Sequence, residues 1–282
     1  MKWQGRQESS NVEDRRRNRG KKVGAGIGLG TVIIFFLAIL LGEDPDKALQ
    51  QIQSQPVQQN TTQATSAEEE ALAKFVSVVL KDTEDVWKKL FAEQLNRNYV
   101  EPTLVLFSGE DRSACGFASA ATGPFYCPAD QKMYIDLSFY QQLKTRFKAP
   151  GDFAMAYIVA HEVGHHVQHL LGITTEVASM QRRMSKADAN ELSVRLELQA
   201  DFLAGVWAHH AQKMKNILEK GDLEEALNAA SAVGDDRIQM EARGYVVPES
   251  FTHGTSKQRM DWFHRGLQTG DLRKGDTFGV KI

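Results

Sequence analysis

Residues 156–172, AYIVAHEVGHHVQHLLG, space Ile158, Val159, Val163, Val167 and Leu170 like the face of a buried helix, yet set His161, Glu162, His165, His166 and His169 among them. Ionisable groups in an apolar interior cost several kcal/mol unless something compensates them. A metal ion is one such partner. The stretch after Pro150 reads as one helix of about five turns, from Asp152 at the N-cap to Gly172 at the C′ position. His161 and His165 leave one face about a turn apart and can grip a single ion. Glu162 is rotated far enough from them to stay unligated while approaching a water on the metal. His166 and His169 fall outside such a set and read as surface groups or groups supporting the ligands. Gly164, unfavourable by up to ~1 kcal/mol relative to Ala in a helix, implies close packing or room for substrate.

An HExxH string alone arises too often by chance to decide. A second stretch, RLELQADFLAGVW at 195–207, places Glu197 and Asp201 four apart on a helix whose other positions are core material. Catalytic zinc typically takes three protein ligands and leaves a fourth position open. Glu197 is therefore expected as the third ligand, with Asp201 accepting the second N–H of a ligating histidine and fixing its tautomer. A solvent-facing acidic stripe is the alternative for this pair.

The N-terminal region carries a different signal. Residues 1–22 hold eight Lys/Arg against three Asp/Glu, and residues 23–41, VGAGIGLGTVIIFFLAILL, contain no charge. Nineteen helical residues span roughly 28 Å, close to the ~30 Å apolar thickness of a bilayer. The expectation is a basic cytoplasmic tail (1–22), a transmembrane helix (23–41), a flexible Gln/Thr/Ser-rich linker (42–67) and a soluble domain (68–282); a cleaved signal peptide is the competing reading, against which stand the length of the apolar run and a flank, LLGEDPD, without a small-x-small site. The positive-inside rule then places the N-terminus in the cytoplasm and the domain outside the inner membrane, periplasmic or otherwise extracytoplasmic. Gly24, Gly26, Gly28 and Gly30 form two overlapping GxxxG pairs that would allow a homodimer. The basic cluster is explained by the adjacent apolar span, and the near-neutral net charge of −2 gives no bias toward nucleic acid. In an oxidising compartment Cys115 and Cys127 can form a disulfide worth roughly 3 kcal/mol; two buried thiols are the alternative.

Elsewhere, GPFYCPADQKMYIDLSFY suggests a hairpin, and an edge strand beside a metal can take up a substrate backbone as an added strand. Thr255 and Gln258 form a capping box that leaves His253 in the loop before a helix.

HExxH followed by ExxxD is similar to the arrangement of glutamate-ligated zinc peptidases. Nearly the whole chain resembles a bacterial family of membrane-anchored neutral zinc metallopeptidases. The resemblance runs through MKWQGRQESSNVEDRRR, GPFYCPADQKMYIDLSFY, AHEVGHHVQHLLGI, RLELQADFLAGVW, GDLEEALNAASAVGDDR and SFTHGTSKQRMDWFHRG. Many relatives carry Cys where this chain has Phe202, so a second disulfide is not implied here. The resemblance implies a zincin-like peptidase acting on peptides or proteins with one zinc ion on His161, His165 and Glu197. Glu162 would be the proton acceptor and His253 a stabiliser of the oxyanion, with Arg259 a weaker candidate that also suits an ion pair. Another amide, such as a cell-wall crosslink, or a non-catalytic envelope scaffold with structural zinc are the alternative readings. The fold expected is α+β and mostly helical, with helices at 68–95, 152–171, 186–218, 222–232 and 255–268 and a small β element within 103–137.

Overall fold

The computed structural model describes residues 1–16, 66–119 and 122–282. The expected transmembrane helix, its glycine pairs and the linker as far as residue 65 lie outside the described residues. Among the described residues no helix is long and apolar enough to cross a membrane.

The architecture is α+β. Strand β1 (Val12–Asp14) precedes helix α1 (Ala67–Leu95), which opens on Ser66, whose side chain accepts from the Glu69 backbone N–H, with Glu68, Glu69 and Glu70 at the positive end of the helix dipole. Five strands follow: β2 (Thr103–Phe107), β3 (Glu110–Ser113), β4 (Gly116–Ser119), β5 (Phe125–Cys127) and β6 (Lys132–Asp136). Then come helices α2 (Phe139–Thr145), α3 (Asp152–Leu170), α4 (Ile173–Gln181), α5 (Lys186–Lys215), α6 (Asp222–Ala232), α7 (Asp235–Arg243) and α8 (Ser256–Thr269).

The main sheet runs β1-β2-β6-β5, parallel except for the β5–β6 hairpin, in which Phe125 lies opposite Tyr134 and Cys127 opposite Lys132. Side chains alternate across it. Leu104, Leu106, Met133 and Ile135 join the helical core, whereas Val105, Phe107, Tyr134 and Cys127 form a smaller core with Ala118 of the β3–β4 hairpin. Cys115, in the turn of that hairpin, is disulfide-bonded to Cys127 and so ties the hairpin to the edge strand β5.

Helix α3 is buried nearly all round, which its run of apolar residues requires. It crosses α5 at Gly164: a Cβ there would lie 3.0 Å from the carbonyl oxygen and 3.2 Å from the Cα of Ala200. Close packing, rather than room for substrate, accounts for that glycine. A tighter contact joins α5 to α8, where a Cβ on Gly205 would sit 2.0 Å from the Phe263 carbonyl oxygen and one on Gly266 2.0 Å from that of Phe202. Phe202 itself is fully buried against Trp262 and Gly275.

Two local expectations differ from the structure. Asp152 is the first helical residue and not the N-cap, because Gly151 at φ 123° makes the entry turn and Glu225 accepts from the Phe153 N–H. Residues 1–16, expected within a detached tail, are built into the domain. Strand β1 pairs with β2, Trp3 packs edge-on against Phe75, and Arg6, Arg15 and Arg16 meet Asp82, Asp111 and Glu70. Basic residues that look unpaired in the local sequence have acidic partners 54 to 96 positions away.

The α5–α8 contact leaves no space for a side chain. Gly205→Ala should destabilise the protein by about 3 kcal/mol in urea unfolding, the upper end of overpacking costs. A loss below about 1 kcal/mol would show that the two backbones do not touch in solution.

Candidate metal centre

The α3–α5 crossing places Glu197 opposite the two histidines of α3. His161 Nε2 lies 3.1 Å from Glu197 Oε2, and His165 Nε2 lies 3.3 Å from Oε1. One donor atom from each of the three falls within 4.8 Å of the others, and the two imidazole planes are perpendicular. Two nitrogens and a carboxylate make a donor set suited to zinc. A second acidic group, Asp152, Asp222 and Glu225, also falls together, but the Met1 amino group lies against Asp152 and Asp222.

Each imidazole is held from behind. His161 Nδ1 donates to Asp201 Oδ1 at 2.8 Å, leaving Nε2 free as a donor to a cation. Asp201 is fully buried and also accepts from the Tyr157 hydroxyl and from Arg259, whose Nε lies 2.8 Å from Oδ2. His165 Nδ1 donates to Gln168 Oε1 at 2.9 Å, and the Gln168 amide is fixed in turn by the Leu196 carbonyl and Gln199. Gln168 was not singled out in the sequence, although its i+3 spacing from His165 on a buried helix is the signal that marks it.

The electrostatics follow from burial and neighbours. Burial opposes charge on His161, but the charge and hydrogen bond of Asp201, with Glu197, raise its pKa to about 10. His165 is likewise disfavoured by burial and raised overall by Glu197. Glu197 is buried too, yet the two imidazoles hold it well below the ordinary carboxylate range. Glu162, 8 % exposed, moves the other way: burial pushes it up, offset in part by His165, His161 and a hydrogen bond from the Tyr126 backbone N–H.

These groups form the floor of a cleft of about 470 Å³. Edge strand β5 borders it through Phe125 and Tyr126; Phe139, Phe147 and Ile158 line one side, and Val233, Ile238 and His253 another. His253 is half-exposed and is held by Asp235, another residue the sequence did not mark: Oδ2 accepts from the backbone N–H groups of Thr252, His253 and Gly254, and Oδ1 lies 3.3 Å from His253 Nδ1. Arg259 lines the cleft, but its guanidinium is engaged by Asp201 and by the Val233 carbonyl. His166 is fully buried, not a surface group. Its Nδ1 accepts from the Tyr126 hydroxyl at 2.9 Å and its Nε2 donates to the Val100 carbonyl at 2.7 Å, while burial lowers its pKa to about 4. Tyr126 thus fastens β5 to α3 by its hydroxyl and by its backbone.

A family profile described as "Putative neutral zinc metallopeptidase" matches residues 1–278, and the chain belongs to that family. It is 49 % identical over 289 aligned positions to "Uncharacterized protein YpfJ" of Escherichia coli strain K12, covering all of both chains. It is 44 % identical over 205 positions to "Uncharacterized protein Rv2575" of Mycobacterium tuberculosis strain H37Rv, covering 69 % of this chain and 67 % of that one. No solved structure is a significant match.

Because Asp201 and Glu197 raise the His161 pKa to about 10, zinc must displace a proton there, and the upward shift of His165 favours a second. The apparent affinity for zinc should rise with pH toward about 10, and binding at pH 7 should release between one and about two protons. Calorimetric titration in two buffers of different ionisation enthalpy measures this. The sign for stability is opposite: the raised His161 pKa stabilises the zinc-free fold below the ordinary imidazole value near 6.5, and that contribution is lost as pH rises toward 10. Binding without proton release would contradict the arrangement.

Proposed function

We propose that the chain is a peptidase that hydrolyses peptide bonds in this cleft with one zinc ion on His161, His165 and Glu197. The observation that carries the reading is that, among the described residues, three donor atoms and not four converge at an open cleft with a buried carboxyl beside them. A structural zinc site typically has four protein ligands, whereas a catalytic one leaves a position for water or substrate. Zinc bound there would lower the pKa of a water to about 7 and polarise the scissile carbonyl.

The chain's own residues supply the rest. Glu162, buried beside both imidazoles and pushed upward in pKa, accepts the proton of the attacking water and returns it to the leaving amine. Asp201 and Gln168 keep the imidazoles in the ligating tautomer. His253, held by Asp235 on the cleft wall, is the donor to the oxyanion that forms on the substrate carbonyl. Arg259 balances Asp201 and does not reach for substrate. A substrate segment adds alongside β5, the last strand of its sheet, and the flank formed by Phe139, Phe147 and Ile158 receives an apolar side chain.

Glu162→Gln should retain one zinc per chain, measured by elemental analysis, and lose about 10²- to 10⁴-fold in turnover of a peptide mixture. Undiminished hydrolysis by that variant would reject the role of Glu162. Wild-type turnover that survives complete removal of zinc by a chelator would reject the function.

A further inference from the structure

The N-terminal residues are part of the sheet that carries the cleft's edge strand. The Leu104 N–H donates to the Asn11 carbonyl and the Arg15 N–H to the Leu106 carbonyl, each at 2.8 Å, and the Ser9 N–H donates to Ser77 of α1. Two buried carboxylates of α1 meet the same segment, beside Lys215 at Asp82 and Lys81 at Glu84. Asp82, 1 % exposed, meets Arg6, and Glu84, 3 % exposed, accepts from Ser9 Oγ at 2.5 Å and Asn11 Nδ2 at 2.8 Å. Withdrawing the segment would expose a sheet edge and strip partners from buried charge, at a cost of several kcal/mol. The fold therefore keeps residues 1–16 on the domain.

The two chain ends that flank residues 17–65 also meet. The Arg16 guanidinium lies 3.4 Å from the Glu69 carbonyl and 3.2 Å from the Glu70 carboxylate, in the first turn of α1. The apolar run 23–41 is long enough for one helical crossing of a bilayer, which takes about 20 residues, and too short for two. One crossing would separate Arg16 from α1 by the full ~30 Å apolar thickness. That arrangement and the observed contacts exclude each other.

We propose that residues 1–16 and residues 66–282 occupy the same face of the membrane, in the compartment where the Cys115–Cys127 bridge forms. This proposal departs from the expected topology, in which the N-terminus lies in the cytoplasm and the domain outside. Three of the eight basic residues that the positive-inside rule counts in 1–22, Arg6, Arg15 and Arg16, meet acidic partners on the domain. The inference stands independently of the hydrolytic reading.

The test uses the full-length protein in its own membrane. Gln7→Cys and Arg183→Cys, both at exposed positions, are made singly, and intact cells stripped of their outer layers are treated with a membrane-impermeant maleimide before or after lysis. A gel without reductant checks that the native disulfide is closed and the fold intact. Both positions reacting before lysis is the expected result. Position 183 reacting before lysis and position 7 only after it would overturn the proposal, and so would the reverse. Both reacting only after lysis would also overturn it, by placing the domain in the reducing compartment.

Discussion

The centre depends on the approach of two helix backbones at Gly164 and Ala200. Glu197 stands one turn before Ala200 on α5, and His161 and His165 flank Gly164 on α3, so the distance between the helices at that point sets the distance between the carboxylate and the imidazoles. Any side chain at 164 would press on the Ala200 carbonyl, and a shift of a few tenths of an ångström at the crossing is passed directly to the ligands. Packed interiors transmit such strain with little relaxation.

The α5–α8 contact works at the next layer. With Gly205 and Gly266 back to back, Arg259, two turns before Gly266, comes within reach of Asp201, one turn before Gly205. The pair is dry, and an arginine left alone there would be strongly destabilising. Tyr157 and His161 use the remaining acceptor capacity of Asp201, so that one carboxylate joins α3, α5 and α8 behind the ligand it orients. Fold and centre are held by the same contacts.

Much of this was legible in the sequence, and the parts that were not have physical reasons. The helices carrying the ligands announce themselves by period, and the Thr255–Gln258 capping box is present as its spacing predicts. Periodicity cannot rank two interpretations of a glycine, and only the contact with Ala200 does so. His166 reads as a surface group or one supporting the ligands because a tetrahedral set is already full, and in the structure it is buried and holds Tyr126, a partner 40 positions earlier. Asp235 acts through a turn 17 to 19 residues away, and β1 is a three-residue polar strand, VED, with no pattern of its own. Helices α2, α4 and α7, of 7 to 9 residues, are too short for their period to stand out. Apart from the short helices and Gln168, three residues from its partner, the missed features rest on pairings made across the fold, which local sequence does not record.

The charges of the buried centre explain why it suits a divalent cation. Glu197 and Asp201 are held ionised by the imidazoles and Arg259, so the cluster carries buried negative charge beside the ligand nitrogens. That charge favours protons on His161 and His165, which is why both imidazoles are raised in pKa although burial alone would lower them. A dication on the same nitrogens supplies the same charge and frees the protons. The donor types narrow the choice to metals that accept nitrogen and carboxylate together, and the carboxylates favour the positive charge that such a metal brings.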